Sequence, residues 1–213
     1  MTPFPLILSA PSGAGKTTIA HRLLERRSDI GYSVSCTTRP PRVGEVDGRD
    51  YHFLTQAEFL ERRERGEFAE SAGVHGKMYG TLKSEVARVL DAGRHVLMDI
   101  DVQGAAQFAA AFPSSVLVFV LPPDAATLLS RLASRQSESR QTLVTRLESA
   151  REELRQVGKY HYVVVNDELE RAVRTVSSIV DAEAARQVRL SELAGRIADL
   201  EGELERSIQS YSE

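Results

Sequence analysis

Residues 10–17 read Ala10-Pro11-Ser12-Gly13-Ala14-Gly15-Lys16-Thr17, the phosphate-binding pattern G-x-x-x-x-G-K-[ST] with alanine in place of the first glycine. The residue types dictate the chemistry. Gly13 and Gly15 let backbone N–H groups turn onto phosphate oxygens, where a β-carbon would block the approach. The helix that opens behind them adds partial positive charge at its N-terminus. Lys16 reaches the β- and γ-phosphates, and the Thr17 hydroxyl is a ligand for Mg²⁺. The segment follows the apolar run Phe4–Ser9 and opens a helical pattern, the context the motif requires. A bound nucleoside triphosphate with magnesium is expected, and ATPase, GTPase and kinase all stay open. The guanine reader Asn-Lys-x-Asp of GTPases does not occur, because Asn166-Asp167 lacks the intervening lysine.

A second segment carries a different chemistry. In Ser35-Cys36-Thr37-Thr38-Arg39-Pro40-Pro41-Arg42, followed by Gly44-Glu45, Gly48, Tyr51 and Phe53, two arginines flank a rigid Pro-Pro. Such a pair can aim two guanidinium forks at one phosphate. Tyr51 and Tyr79 add hydroxyl donors. Glu70, Thr81 and Asp101 are acceptors that a phosphate site does not itself need. A carboxylate suits the N1–H and N2–H₂ edge of guanine, whereas adenine presents no such pair of donors. A triphosphate cradle beside a second phosphate site points to a kinase with a small nucleotide as acceptor.

These motifs resemble those of guanylate kinases of bacterial type, within the P-loop nucleoside monophosphate kinases. The matching pieces are Ser9–Thr18, Val34–Phe53, Phe68–Glu70, Met78–Thr81, Asp99-Ile100-Asp101-x-Gln103-Gly104, Arg131–Arg135, Arg146 and Val165-Asn166-Asp167, in order across roughly residues 5–185. The resemblance implies transfer of the γ-phosphoryl of ATP to GMP, with dGMP as a second acceptor, in purine nucleotide metabolism. By position it implies that Ala10–Thr18, Arg131, Arg135 and Asn166 bind ATP, Arg135 and Arg146 clamping its phosphates and Asn166 lying near the adenine. Arg39, Arg42, Tyr51 and Tyr79 would hold the GMP phosphate. Ser35, Glu70, Thr81 and Asp101 would read the guanine. Thr17 would ligate Mg²⁺, with Asp99 near the metal through water. Lys16, Arg39, Arg135 and Arg146 form the implied catalytic set. Three features depart from the pattern: Ala10, the Lys77-Met78 pair, and Gln136 after Arg135. A sugar-phosphate kinase on the same loops would not need Ser35, Glu70 and Thr81 together. A partner-binding module on this fold would not need Gly15-Lys16-Thr17, Arg135 and Arg146.

The elements that must position these residues are legible in the apolar pattern. Phe4–Ser9, His95–Ile100, Val116–Leu121 and Tyr162–Val165 are near-continuous apolar runs, as in parallel strands buried on both faces. Helical patterns lie between them. Thr17–Arg27 places Ile19, Leu23 and Leu24 on one face. Thr55-x-x-Glu58 is a capping box opening Gln56–Arg65. Thr81 is expected to cap Leu82–Ala92, which stops at Gly93. Pro122-Pro123-Asp124 starts a helix at Ala125–Leu132. Short polar strands are expected at Tyr32–Ser35 and Asp50–Phe53. The expected fold is α/β, a three-layer P-loop kinase core with a mostly parallel sheet, an inserted GMP-binding lobe and a mobile lid. The core takes 1–33, 82–127 and 157–190, the lobe 34–81 and the lid 128–156. In the tail, 191–213, apolar residues recur at steps of three and four, so an amphipathic helix is expected there. It either packs on its own core or offers a seam for a homo-oligomer.

Composition bounds the rest. A chain of 213 residues with 42% hydrophobic and 27% charged residues is globular and most simply one domain. A net charge of −3 supplies no global basic field for nucleic acid or an anionic membrane. The one cysteine, Cys36, excludes an internal disulfide and suits a reducing compartment, and a packed role is expected for it. The start, Met1–Pro5, lacks the pattern of a secretory signal. A soluble cytoplasmic enzyme with small-molecule substrates is the expectation. His21, His52, His75, His95 and His161 lack metal-ligand spacing, and Phe108, Phe112 and Phe119 read as core.

Overall fold

The computed structural model describes residues 1–74, 76–133 and 140–212. The elements run β1 (Pro5–Ser9), α1 (Lys16–Arg26), β2 (Ile30–Tyr32), β3 (Cys36–Thr37), β4 (His52–Phe53), α2 (Gln56–Glu64), β5 (Phe68–Val74), β6 (Lys77–Leu82) and α3 (Lys83–Asp91). They continue with β7 (His95–Asp99), α4 (Val102–Ala111), β8 (Val116–Leu121), α5 (Ala125–Ala133), α6 (Arg140–Leu154), β9 (Tyr162–Val165), α7 (Leu169–Ala184) and α8 (Leu193–Ser212).

Five strands form a sheet in the order β2-β7-β1-β8-β9, and every pairing in it is parallel, with Leu6 opposite Leu97 and Leu8 opposite Val118. Alternation along β1 explains why its whole length had to be apolar. Leu6 and Leu8 face a core shared with Ile19 and Leu23 of α1 and Val173 and Val176 of α7. Ile7 faces the other way, onto Val86 and Val89 of α3 and Phe108 of α4. Helices therefore cover both faces, which is the three-layer arrangement that continuous apolar runs require. The strand β9 departs from it. It is the sheet's edge, and Val163 and Val165 are about half exposed. The P-loop joins β1 to α1, and Asp99 ends the neighbouring strand β7. Parallel order thus sets both at the same carboxyl end of the sheet.

A second, four-stranded sheet, β4-β3-β6-β5, lies within Cys36–Leu82. Its small core joins Cys36, Phe59, Phe68 and Leu82, with the Phe59 and Phe68 rings stacked at 4.4 Å. Helix α2 carries the expected capping box: the Thr55 hydroxyl accepts from Glu58 N–H while the Glu58 carboxylate accepts from Thr55 N–H. Two expectations fail here. Tyr32 does not begin a strand of this region; it ends β2, which pairs with β7 in the central sheet. Thr81 does not cap the following helix. The chain stays extended through Leu82, and the Thr81 hydroxyl is given to Glu70 instead.

Cys36 is fully buried, and burial pushes its thiol up to about 12, so it behaves as a packed apolar residue. Phe108 and Phe119 are core, and Phe112 packs against it. The tail forms one helix, α8, of which no residue is buried, so it does not pack on the chain's own core. Among the described residues no helix is long and apolar enough to cross a membrane.

Candidate nucleotide sites

The P-loop is held in its shape from outside. Gly13 and Gly15 have φ of 87° and 93°, a backbone that residues with a β-carbon rarely adopt. The Ala14 N–H donates to the Pro11 carbonyl at 3.0 Å. The Ala14 carbonyl accepts from the Asn166 side-chain amide at 2.7 Å and from Arg131 Nη1 at 3.4 Å. Asn166, implied near an adenine, is thus buried against the loop itself. With Arg131 and Thr18 it lines a cavity of about 640 Å³ that is floored by the P-loop. Of Ala10–Thr18, Arg131 and Asn166, all but Ala14 line this cavity, whereas Arg146, read as a clamp on the ATP phosphates, does not and lines a neighbouring cavity with Ser12 and Asp101. Arg135 lies outside the described residues, as do Gln136 and His75.

Asp99 is the centre of the phosphate end. Lys16 Nζ donates to its backbone carbonyl at 2.6 Å and stands 3.5 Å from Oδ2. The Thr17 hydroxyl donates to Oδ2 at 2.7 Å, and the Tyr32 hydroxyl to Oδ1 at 2.7 Å. Burial alone would raise the carboxyl. The Lys16 charge and the three hydrogen bonds outweigh it and hold Asp99 below its ordinary value, so it is an anion. Tyr32 is driven well up by burial and by that anion, and it stays a neutral donor. Thr17 and Asp99 thus offer adjacent hard oxygen donors. Among the described residues no three His, Cys, Asp or Glu side chains cluster as a metal cage. This donor set fits Mg²⁺, which keeps waters and takes one or two protein oxygens together with substrate phosphates.

Helix α6 closes on the same loop. Arg146 Nη2 donates to the Ser12 hydroxyl at 2.9 Å, and the Ser12 N–H donates to Glu153 Oε2 at 3.3 Å. Burial pushes Glu153 up, against the hydrogen bond from Ser12.

The second site sits on the four-stranded sheet. Of the two expected forks, that of Arg39 does not point outward free. Its Nη1 and Nη2 donate to the two oxygens of Glu45 at 2.9 and 2.8 Å, and the Arg42 N–H donates to the same carboxylate at 2.7 Å. Arg39 and then the Arg42 N–H pull the Glu45 carboxyl down to about 2. The Arg39 guanidinium lies 5.5 Å from the centre of the Tyr51 ring, and Tyr51 meets Tyr79 edge-on at 6.1 Å. The Arg42 side chain is exposed. Burial raises the Tyr51 phenol, and Asp99 adds to the effect, so the second site feels the charge at the end of β7.

Deeper in, Glu70 Oε1 accepts from the Thr81 hydroxyl at 2.7 Å, and both residues are buried. Burial pushes the Glu70 carboxyl up to about 7 against that hydrogen bond, with help from Asp101. A β-carbon on Gly104 would lie 2.9 Å from Glu70 Oε2, so the glycine makes room for the carboxylate. Asp101 caps α4, its Oδ1 accepting from Gly104 N–H at 2.7 Å. Ser35 is half-buried, and its carbonyl accepts from His52 N–H at 2.9 Å.

The sequence-expected residues therefore gather as two groups meeting at Asp99: Lys16, Thr17, Arg131 and Arg146 about the loop, and Arg39, Tyr51, Tyr79, Glu70, Thr81 and Asp101 on the lobe side. Three contributors were given no site role from the sequence: Tyr32, Glu45 and Glu153. Only Glu45 left a local trace, as an acid three residues from Arg42 and six from Arg39.

The guanylate kinase family model matches residues 2–183. A guanylate kinase of Clostridium perfringens is 48% identical over 187 residues, which is 88% of this chain and 87% of that protein. One from Anaeromyxobacter dehalogenans is 51% identical over 197 residues, 91% of this chain and 87% of its own length. Among solved structures, the guanylate kinase of Anaplasma phagocytophilum aligns with a TM-score of 0.74 at 33% identity, covering 91% of this chain and 93% of that one. On this extent of match, laid over a P-loop and a buried carboxylate already in place, the chain belongs to the guanylate kinase family.

Proposed function

We propose that this chain transfers the γ-phosphoryl group of ATP to GMP, giving ADP and GDP, with ATP in the P-loop cavity and GMP on the lobe spanning 34–81. Deoxy-GMP is the second acceptor of the same site. The core is 1–33, 82–127 and 157–190, and the described parts of 128–156, α5 and α6, form a lid over the loop.

The acceptor is a phosphate monoester with a second pKa of about 6, so at neutral pH it is largely a dianion and requires no general base. Alignment and charge are what the protein supplies. Asp99 orients Lys16 and Thr17; Lys16 swings from it to the β- and γ-phosphates. Thr17 and, through water, Asp99 would hold Mg²⁺, which when bound neutralises charge on the phosphate oxygens. Arg131, Arg135 and Arg146 are assigned to the ATP phosphates. Arg39, Arg42, Tyr51 and Tyr79 take the GMP phosphate, and Asn166 keeps the loop in shape at the adenine side. Ser35, Glu70, Thr81 and Asp101 read the guanine. The buried Cys36 suits a reducing compartment, and the cytoplasm is where we place the enzyme.

The observation that carries the reading is the buried Glu70–Thr81 pair beside Gly104, which supports a carboxylate acceptor for the two donors of guanine. Replacing Glu70 by Gln presents one donor to a donor edge and leaves a buried group unpaired, at about 1–3 kcal/mol. The GMP KM should rise roughly 5- to 150-fold while the ATP KM stays put. An unchanged GMP KM would remove Glu70 from the guanine site.

A further inference from the structure

The tail helix α8 stands outside both nucleotide sites and has an unpartnered apolar face. Ile197, Leu200, Leu204, Ile208 and Tyr211 are between 46% and 91% exposed. A helix in water owes most of its stability to packing of such a face. Gly195 and Gly202 lie within α8, and each weakens it as an isolated helix.

The pattern specifies what covers the face. Leu193 and Leu200 fall at d positions of one heptad frame, and Ile197, Leu204 and Tyr211 at a positions, with Ser207 the polar d residue. A β-branched a residue followed by a leucine d, as in Ile197 and Leu200, is the arrangement of parallel two-stranded coils. Both glycines fall at f, the position farthest from the seam. In the same frame Arg196 is a g residue and Glu201 is the e residue of the next heptad. Parallel helices bring g of one chain against the following e of the other, so Arg196 meets Glu201 of a second copy, twice by symmetry. The antiparallel register that pairs the whole seam from Leu193 to Tyr211 brings Glu201 against Glu201 and Glu203 against Glu203. Charge therefore selects the parallel pairing.

We propose that α8 pairs in parallel with α8 of a second copy of this chain, through the Leu193–Tyr211 seam and reciprocal Arg196–Glu201 contacts, to form a two-fold dimer. The nucleotide assignments do not depend on this pairing, since no seam residue belongs to either site.

Sedimentation equilibrium of the full chain over a range of concentrations is the test, with kinase activity as the check that each variant is folded. The wild type should approach twice 23.5 kDa as concentration rises. Leu204→Glu should stay monomeric and active. Arg196→Glu should weaken the dimer roughly fivefold or more, and adding Glu201→Arg should restore it. Residues five apart do not face each other on one helix, so restoration reads a contact between chains. Ser207→Cys should form a disulfide-linked dimer under mild oxidation, because parallel helices set d against d; the buried Cys36 does not compete. A chain that is monomeric at every concentration, or a dimer that survives Leu204→Glu, would overturn the proposal. So would a charge swap that fails to restore pairing, or a Ser207→Cys chain that dimerises without cross-linking.

Discussion

The Asn166 side-chain amide donates to the Ala14 carbonyl at 2.7 Å, and a β-carbon on the adjacent Gly15 would lie 2.3 Å from that same nitrogen. The end of β9 is thereby fastened to the P-loop across 152 residues of chain. Gly15 is needed twice, for its left-handed backbone and for the space that Asn166 fills.

From this contact, Gly15→Ala should raise the ATP KM by at least roughly tenfold, because the loop must move to admit the methyl group. Asn166→Ala should leave the Ala14 carbonyl short of a donor and lower unfolding stability by about 1–3 kcal/mol in urea titrations. In both variants the GMP KM should change little. A normal ATP KM in Gly15→Ala would mean that the loop shape does not set triphosphate binding.

The ionised Asp99 carboxylate accepts from the Thr17 and Tyr32 hydroxyls and faces the Lys16 ammonium at 3.5 Å, while the Asp99 backbone carbonyl accepts from Lys16 Nζ. Asp99→Asn should lower kcat on the order of 10²-fold at saturating substrates, by disorienting Lys16 and Thr17 at the transferring group. Tyr32→Phe removes one of its hydrogen bonds and should cost far less. Equal losses in the two variants, measured as ADP formation, would contradict the ranking.

Glu45 binds both the Arg39 fork and the Arg42 N–H, so it sets the shape of the arginine loop. Glu45→Ala should raise the GMP KM roughly tenfold while kcat changes less than threefold, because a misplaced Arg39 weakens phosphate binding in ground and transition states alike. A lower GMP KM would mean instead that Glu45 competes with the phosphate.

These contacts show what the sequence could and could not tell. The strands β1, β7 and β8 were legible because burial on both faces demands an unbroken apolar run. The strand β9 has the same composition, yet among the described residues it ends the sheet, a fact that no local pattern carries. Thr81 reads locally as a helix cap, but a partner eleven residues back takes its hydroxyl first. The nucleotide loops were legible because their chemistry is written in consecutive residues. Tyr32 and Glu153 were not, since each reaches the site from a distant element through one side-chain atom.

Glu70 gives the site a pH dependence. Its folded pKa of about 7 lies above the ordinary 4.5, because burial disfavours the anion. Guanine's donors need that anion, so GMP affinity should rise with pH up to about 7 and level off above it. Between 4.5 and about 7 the folded chain holds a proton that the unfolded chain has released, so stability from this residue falls as pH rises through that window. Titrating GMP from pH 5.5 to 8.5 against wild type and Glu70→Gln separates this from the ~6 pKa of the GMP phosphate, which both proteins share. Parallel profiles in the two proteins would contradict the assignment.

The most direct measurement is ADP formation from ATP and Mg²⁺ with GMP, AMP, CMP or UMP as the acceptor. Turnover that depends on GMP, with the other three near background, is the expected result and joins the cradle, the arginine loop and the Glu70 pocket in one reaction. Comparable turnover with AMP, or none with any of the four while ATP still binds, would contradict the assignment of Glu70 and Arg39 to a guanine nucleotide.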